Sequence, residues 1–238
     1  MTIEFLFPEF CNLYGDQANI RYLKACAPDI EILYTDNRSV PKFADTAVDM
    51  IYMGSMPEDK QILAIQRLEP YKPRLKDLME QGTVFLITGN AMEILGEYIA
   101  DSREKVTALG LFPFHADRNY KKRLNMICWG QFRDMKIVGY KSQFSVCRGT
   151  FPAPFIEILG GFGNDETDRN EGFTYKNLFA TYLLGPILVL NPPFTKHLLR
   201  LMGHDDTLAF EQEAFEAYNF RVKQMEDPEA VFSMGEHG

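Results

Sequence analysis

Only four cysteines occur in the sequence, Cys11, Cys26, Cys128 and Cys147, and their wide spacing leaves no C-x-x-C pair. That argues against a zinc ribbon or a disulfide framework. Cys26, at helical spacing among apolar neighbours, is most simply a small buried hydrophobe. Histidine is equally sparse. His197 falls in a helical pattern, His204 follows Gly203 at its end, His115 lies in a loop and His237 in the terminal stretch. No metal site and no cofactor is expected. Basic residues are outnumbered, 25 against 33 acidic, for a formal net charge of −8. Without a cationic stripe to neutralise phosphates, no nucleic-acid partner is expected. No apolar run approaches the ~20 residues that cross a bilayer; GPILVL at 185–190 is far too short. The N-terminus lacks the basic and apolar regions of a signal peptide, so the expected location is the cytoplasm, away from the membrane. Repeats, linkers and low-complexity stretches are missing too. What is present, 46% hydrophobic and 24% charged residues over 238 positions, suffices for a sizeable core in a single domain spanning 1–238.

Apolar runs at 2–6, 30–34, 48–53, 84–88 and 135–139, with a further one at 179–184, read as strands. Helical spacing falls between them, at 17–27, 58–69, 72–81, 91–99, 193–203 and 208–225. Pro57 followed by Glu58 and Asp59 marks a helix start, because proline tolerates the first turn and carboxylates complement the dipole. Gly82 and Gly203 are placed to stop helices. This alternation predicts an α/β fold, a three-layer sandwich around a mainly parallel sheet. From about residue 226 onward apolar anchors thin out, which predicts a frayed tail.

VFLITGNAMEILG (84–96) is the most informative segment: a buried strand breaks at Thr88-Gly89-Asn90, and helical spacing resumes at Met92, Leu95 and Ile99. A sharp strand-to-helix turn presents a nucleophile above a parallel sheet, with N–H groups nearby for an oxyanion. Gly89, at the tip, has no side chain with which to attack.

Four blocks give that turn its context. FLFPEFCNLYGDQANIRYLK (5–24), DMIYMGSMPEDKQ (49–61), the turn itself, and GGFGNDETDRNEGFTYKNLFATYLLGPILVLNP (160–192) resemble, in order, segments of class I glutamine amidotransferases of the cobyric acid synthase-like branch. Within it they are most similar to the glutaminase subunits of lipid II isoglutaminyl synthases. The resemblance implies a flavodoxin-like class I amidotransferase fold. It also implies a nucleophilic cysteine where this chain has Gly89, and a general-base histidine where TYLLGP has Leu184. A glutamine of the nucleophile turn corresponds to Glu93. In GYKSQ (139–143), Lys141 and Gln143 stand where the family has glutamate and histidine. Gly54 remains of the oxyanion-hole glycines, followed by Ser55, Met56 and Pro57. Arg123 matches the family's glutamine-contacting arginine. The expected ligand-contacting positions are therefore Arg123, Gly54, Glu93 and Gln143, with no catalytic residue retained.

Amide hydrolysis needs a thiolate, a base and oxyanion donors acting as one unit. With nucleophile and base both gone, the expectation is a non-catalytic subunit that binds or regulates an ATP-dependent, Mur-ligase-like, amide-forming synthetase. Two alternatives stay open: a glutaminase using Thr88 or Cys11 instead, and an amino-acid-binding protein in which Arg123, Glu93 and Lys141 hold glutamine or a related ligand without turnover. Asp165, Glu166, Asp168 and Glu171 form a dense acidic set that reads as turn-stabilising rather than cation-binding. The final helix, about 207–225, carries more aromatic residues than one packing stripe needs, and Phe215 and Tyr218 are the expected partner contacts.

Overall fold

The computed structural model describes residues 1–227; the tail expected to fray lies almost entirely outside them. The first half alternates strand and helix: β1 (Thr2–Leu6), α1 (Gln17–Cys26), β2 (Glu31–Thr35), β3 (Met50–Met53), α2 (Glu58–Leu68), α3 (Lys72–Gln81) and β4 (Val84–Thr88). Strands follow as β5 (Tyr98–Ala100), β6 (Lys105–Thr107), β7 (Phe114–Arg118), β8 (Leu124–Phe132), β9 (Met135–Gln143), β10 (Ser145–Gly149), β11 (Ile156–Gly160), β12 (Asn170–Glu171), β13 (Phe173–Tyr175) and β14 (Leu178–Thr181). The chain then forms α4 (Ile187–Leu190), α5 (Pro192–Leu201) and α6 (Glu211–Glu226).

The central sheet runs β2–β1–β3–β4–β14–β13, parallel except for β13 at one edge. Its five parallel strands, numbered along the chain, lie in the flavodoxin-like order 2-1-3-4-5. Right-handed crossovers put α1 on one face and α2 with α3 on the other, because the first crossover and the later ones run in opposite directions across the sheet. The helices α4 and α5 join α1's layer, where the Leu188 N–H donates to Asn19 Oδ1 at 2.9 Å. Strands β3 and β4 are buried along their whole length, as continuous apolar runs between two helical layers require.

Local signals account for the helix ends. Pro57 precedes α2 with Glu58 and Asp59 in its first turn. Gly82 closes α3 at φ 86°, its N–H bonded to the carbonyls of Leu78 and Met79.

Two departures from the sequence expectation stand out. The helix expected at 91–99 is a 3-10 turn over Gly89–Leu95, followed by strand β5. All seven residues of that turn are buried, so the apolar spacing reflected burial on every side rather than one helical face. A Cβ at Gly96 would lie 2.7 Å from the Phe114 carbonyl. That close approach lets the chain leave the turn into a sheet. The second departure is the set of strands between the turn and β13. Only 135–139 was expected, yet this region builds two further four-stranded sheets, β10–β7–β5–β6 and β12–β11–β8–β9. Polar residues buried inside them, including Lys141, Gln143 and Ser145, blur the alternation that marks a strand.

Candidate functional site

In an open parallel sheet, ligands lie beyond the carboxyl ends of the strands near the point where strand order reverses. Here Asp16 follows β1, Gly54 and Ser55 follow β3, Gly89 follows β4 and Leu184 follows β14. Gly89 has φ 61°, the left-handed conformation of a sharp strand-to-turn tip. A Cβ built there would meet Ser55 Cβ at 2.6 Å, Ser55 Oγ at 2.8 Å and Leu184 Cδ2 at 3.0 Å. Positions 89 and 184 therefore face each other, as a nucleophile and its base would. The space between them is filled by a leucine side chain and a serine.

The neighbouring N–H groups are taken as well. The Ser55 N–H donates to Asp16 Oδ2 at 2.8 Å, and the Met56 N–H to Asn90 Oδ1 at 3.0 Å. Asn90 Nδ2 returns a bond to the Met56 carbonyl at 2.7 Å, clamping the β3 loop to the turn. Gly54 is packed tightly, since a Cβ there would lie 3.0 Å from both Asp16 Oδ2 and the Tyr52 hydroxyl. Amides already bonded to protein carboxylate and amide oxygens are not free to receive an oxyanion.

Asp16 precedes α1 but does not cap it; its carboxylate turns inward to accept from Ser55 and from Thr88 Oγ1 at 2.8 Å. Its other oxygen is buried without a partner among the described residues. Burial pushes its pKa up to about 6, against smaller opposing hydrogen bonds from Ser55 and Thr88. A carboxyl whose folded pKa lies above the ordinary 3.8 binds protons more tightly in the native state. The contribution of this group to stability is then greatest below about pH 4 and falls by roughly 3 kcal/mol as pH rises to about 6. Urea melts between pH 4 and 7 should show that decline, and Asp16→Asn should flatten it; an unchanged slope in the variant would assign the dependence elsewhere.

The two substitute nucleophiles are poorly placed. Thr88 is fully buried and bonded to Asp16. Cys11 is fully buried too, and burial pushes its thiol well above the ordinary range, which suppresses the reactive thiolate.

Glu93 and Lys141 belong to internal networks rather than to an open ligand site. Glu93 accepts from Arg118 at 2.7 Å, Gln61 at 3.2 Å and the Tyr182 hydroxyl at 3.0 Å, and Tyr182 lies 3.2 Å from Cys147 Sγ. Burial lowers the pKa of Arg118, but Glu93 and the Tyr120 hydroxyl together outweigh that and the net shift is upward. Lys141 is completely buried, donates to the carbonyls of Phe162 and Gly163 at 2.9 and 2.8 Å, and sits 3.6 Å from Glu171. Glu171 accepts in turn from Thr181 Oγ1 and the Tyr182 N–H. Gln143 is buried, its Nε2 donating to the Ser145 carbonyl at 2.7 Å while its Oε1 has no partner among the described residues. Arg123 is exposed on the rim, bonded to the Tyr14 hydroxyl and 5.0 Å from the Phe144 ring. The expected trio of Arg123, Glu93 and Lys141 is thus divided among separate sets of partners, because burial forces each interior charge to find its own counter-group. In the acidic set, Asp165 Oδ1 accepts from the N–H groups of Thr167 and Asp168, Asp168 accepts from the Asn170 N–H, and Arg148 binds Asp165 and Glu166, a turn-stabilising arrangement that Glu171, buried beside Lys141, does not share.

Sequence reasoning missed Asp16, Asn90, Arg118 and Tyr182. Asp16 and Asn90 lay within quoted blocks, and a polar residue beside each break was the available signal. Arg118 and Tyr182 meet Glu93 only through the fold.

Strand order and the placement of these loops define the class I glutamine amidotransferase fold. A crystal structure of a glutamine amidotransferase aligns over 84% of this chain and 98% of its own, with a TM-score of 0.56 at 12% identity, and so supports the fold alone. The CobB/CobQ-like glutamine amidotransferase domain model matches residues 2–191, and the chain belongs to that family. Among curated relatives, the lipid II isoglutaminyl synthase (glutamine-hydrolyzing) subunit GatD of Staphylococcus aureus strain N315 is 27% identical over 214 residues, covering 89% of this chain and 88% of its own. GatD of Streptococcus pneumoniae strain R6 is 24% identical over 243 residues, covering 92% and 90%.

Proposed function

We propose that this protein is a glutamine amidotransferase-like subunit that no longer hydrolyses glutamine and serves an ATP-dependent, Mur-ligase-like synthetase by binding it. The observation that carries the reading is the contact between positions 89 and 184, where a glycine and a leucine with Ser55 fill the space a thiol and an imidazole would need. Loss of either member of such a unit costs several orders of magnitude in rate. The curated relatives are named as subunits of a synthase, which supports a retained partner.

The surface for that partner differs from the sequence expectation. Tyr218 is buried, its hydroxyl donating to the Lys136 carbonyl at 2.8 Å, and Phe215 packs against the core. Both dock α6 onto the molecule. Phe210 and Phe220, 76% and 63% exposed, are the aromatic side chains that α6 and its entry leave free. The net charge of −8 favours a basic face on the partner and an association that slows as salt rises.

The test combines turnover and capture. Purified protein incubated with glutamine should release no ammonia above a buffer blank. Tagged protein in its source cell should retain a synthetase, and the Phe210→Ala, Phe220→Ala variant should retain less. Ammonia release blocked by a glutamine-directed alkylator would overturn the loss of catalysis. Failure to capture any synthetase would overturn the subunit reading.

A further inference from the structure

A cleft of about 360 Å³ lies between the β8–β9 turn, α5 and α6, away from the loops described above. Its charged lining is mainly basic: Arg133 from the turn, Lys196 and Arg200 from α5, and His197 between them, with Asp134 as the acidic member. Lys196 and Arg200 stand four residues apart on one face of the helix. Each has an acidic partner: Glu211 at the start of α6 lies 2.7 Å from Lys196, and Asp206, in the segment before it, bonds Arg200 and lies 3.9 Å from Lys196. Arg133 has no carboxylate within pairing distance among the described residues. Its guanidinium only packs 5.1 Å from the centre of the Phe132 ring.

Two further features set this cleft apart. Arg133 is held at φ 54°, a left-handed conformation that glycine or asparagine would adopt more readily. His197 is 9% exposed, packed edge-on to Phe132 and Phe179, and its Nε2 has no hydrogen-bond partner among the described residues. Burial lowers its pKa first, then Arg133 and Arg200, while Asp134 opposes them. Two arginines thus act on the imidazole against one aspartate.

We propose that this cleft binds a small phosphorylated molecule, with Arg133 as the anchoring cation for the phosphate and, as flanking donors, the N–H groups of Arg200 and Lys196 that their carboxylate partners leave unused. A guanidinium meets a tetrahedral oxyanion with two parallel N–H bonds, which suits an arginine left without a carboxylate. The volume exceeds that of a phosphate ion, and Met135 and Phe215 give the remainder an apolar wall. A bound dianion reverses the field on His197, raises its pKa and favours its protonated form. Arg133 and Asp134 on the turn, Lys196 and Arg200 on α5, and Asp206 and Glu211 facing them set the field that the bound anion offsets.

The test is a titration of the full-length protein with inorganic phosphate at ionic strength held constant with sodium chloride, read by histidine ring resonances and by thermal melting. His197 is expected to titrate at least about half a pH unit higher in saturating phosphate, with Tm rising as phosphate is added. Arg133→Gly should weaken the apparent affinity about tenfold or more. Without phosphate its Tm should equal or exceed that of the parent, because glycine relieves the left-handed backbone. The same response to chloride alone, or undiminished phosphate binding by Arg133→Gly, would overturn the proposal. Neither outcome bears on glutamine turnover or synthetase capture, which test the separate reading above.

Discussion

Gly89→Ala should destabilise the protein by about 2–5 kcal/mol, the sum of a left-handed backbone forced on a residue with a Cβ and an overpacked site. The new methyl would sit 2.6 Å from Ser55 Cβ and 3.0 Å from Leu184 Cδ2. Ser55 cannot retreat freely, because its N–H is anchored to Asp16 at 2.8 Å. Urea denaturation provides the measurement, and the double variant Gly89→Ala, Ser55→Gly provides the control. Removing the serine side chain should recover about 1–2 kcal/mol of the loss, a coupling that only contacting residues show. Additive effects would mean that positions 55 and 89 do not touch. The same crowding predicts that Gly89→Cys with Leu184→His regains little glutaminase activity, since a reactive constellation must be held within about half an ångström and Ser55 occupies the approach.

Lys141→Met should cost about 3–5 kcal/mol, the usual loss when one member of a buried ion pair is removed. The ammonium is fully buried among the Phe162 and Gly163 carbonyls and Glu171. Methionine fills similar volume but leaves those acceptors and the Glu171 charge without compensation. Glu171→Gln added to Lys141→Met should recover the part of the loss due to the unpaired charge, because a neutral amide can still accept from Thr181 or the Tyr182 N–H. If the double variant is no more stable than the single one, the 3.6 Å pair is not the source of the loss. This lysine stands where the family resemblance puts a glutamate, and its pairing with Glu171 sets the charge of the interior beside the candidate site.

Local features were enough to determine one half of this molecule. Continuous apolar runs at β3 and β4, the proline and carboxylates at the start of α2, and Gly82 after α3 act within a few residues of themselves, so the parallel α/β frame was legible. The glycine at the β4 turn and the leucine in TYLLGP were legible for a similar reason: they interrupt segments whose pattern is otherwise kept. The antiparallel strands between the turn and β13 were not, because their register is set by partners elsewhere in the chain, such as β8 with β9 and β7 with β10. Nor could sequence show that Glu93 belongs to Arg118 and Tyr182, that Lys141 belongs to Glu171, or that Phe210 and Phe220 rather than Phe215 and Tyr218 face outward. Those facts depend on which buried charge or aromatic ring finds which partner in three dimensions. Residue type and spacing announce that a polar group will need a partner, but only the tertiary packing decides which one it meets.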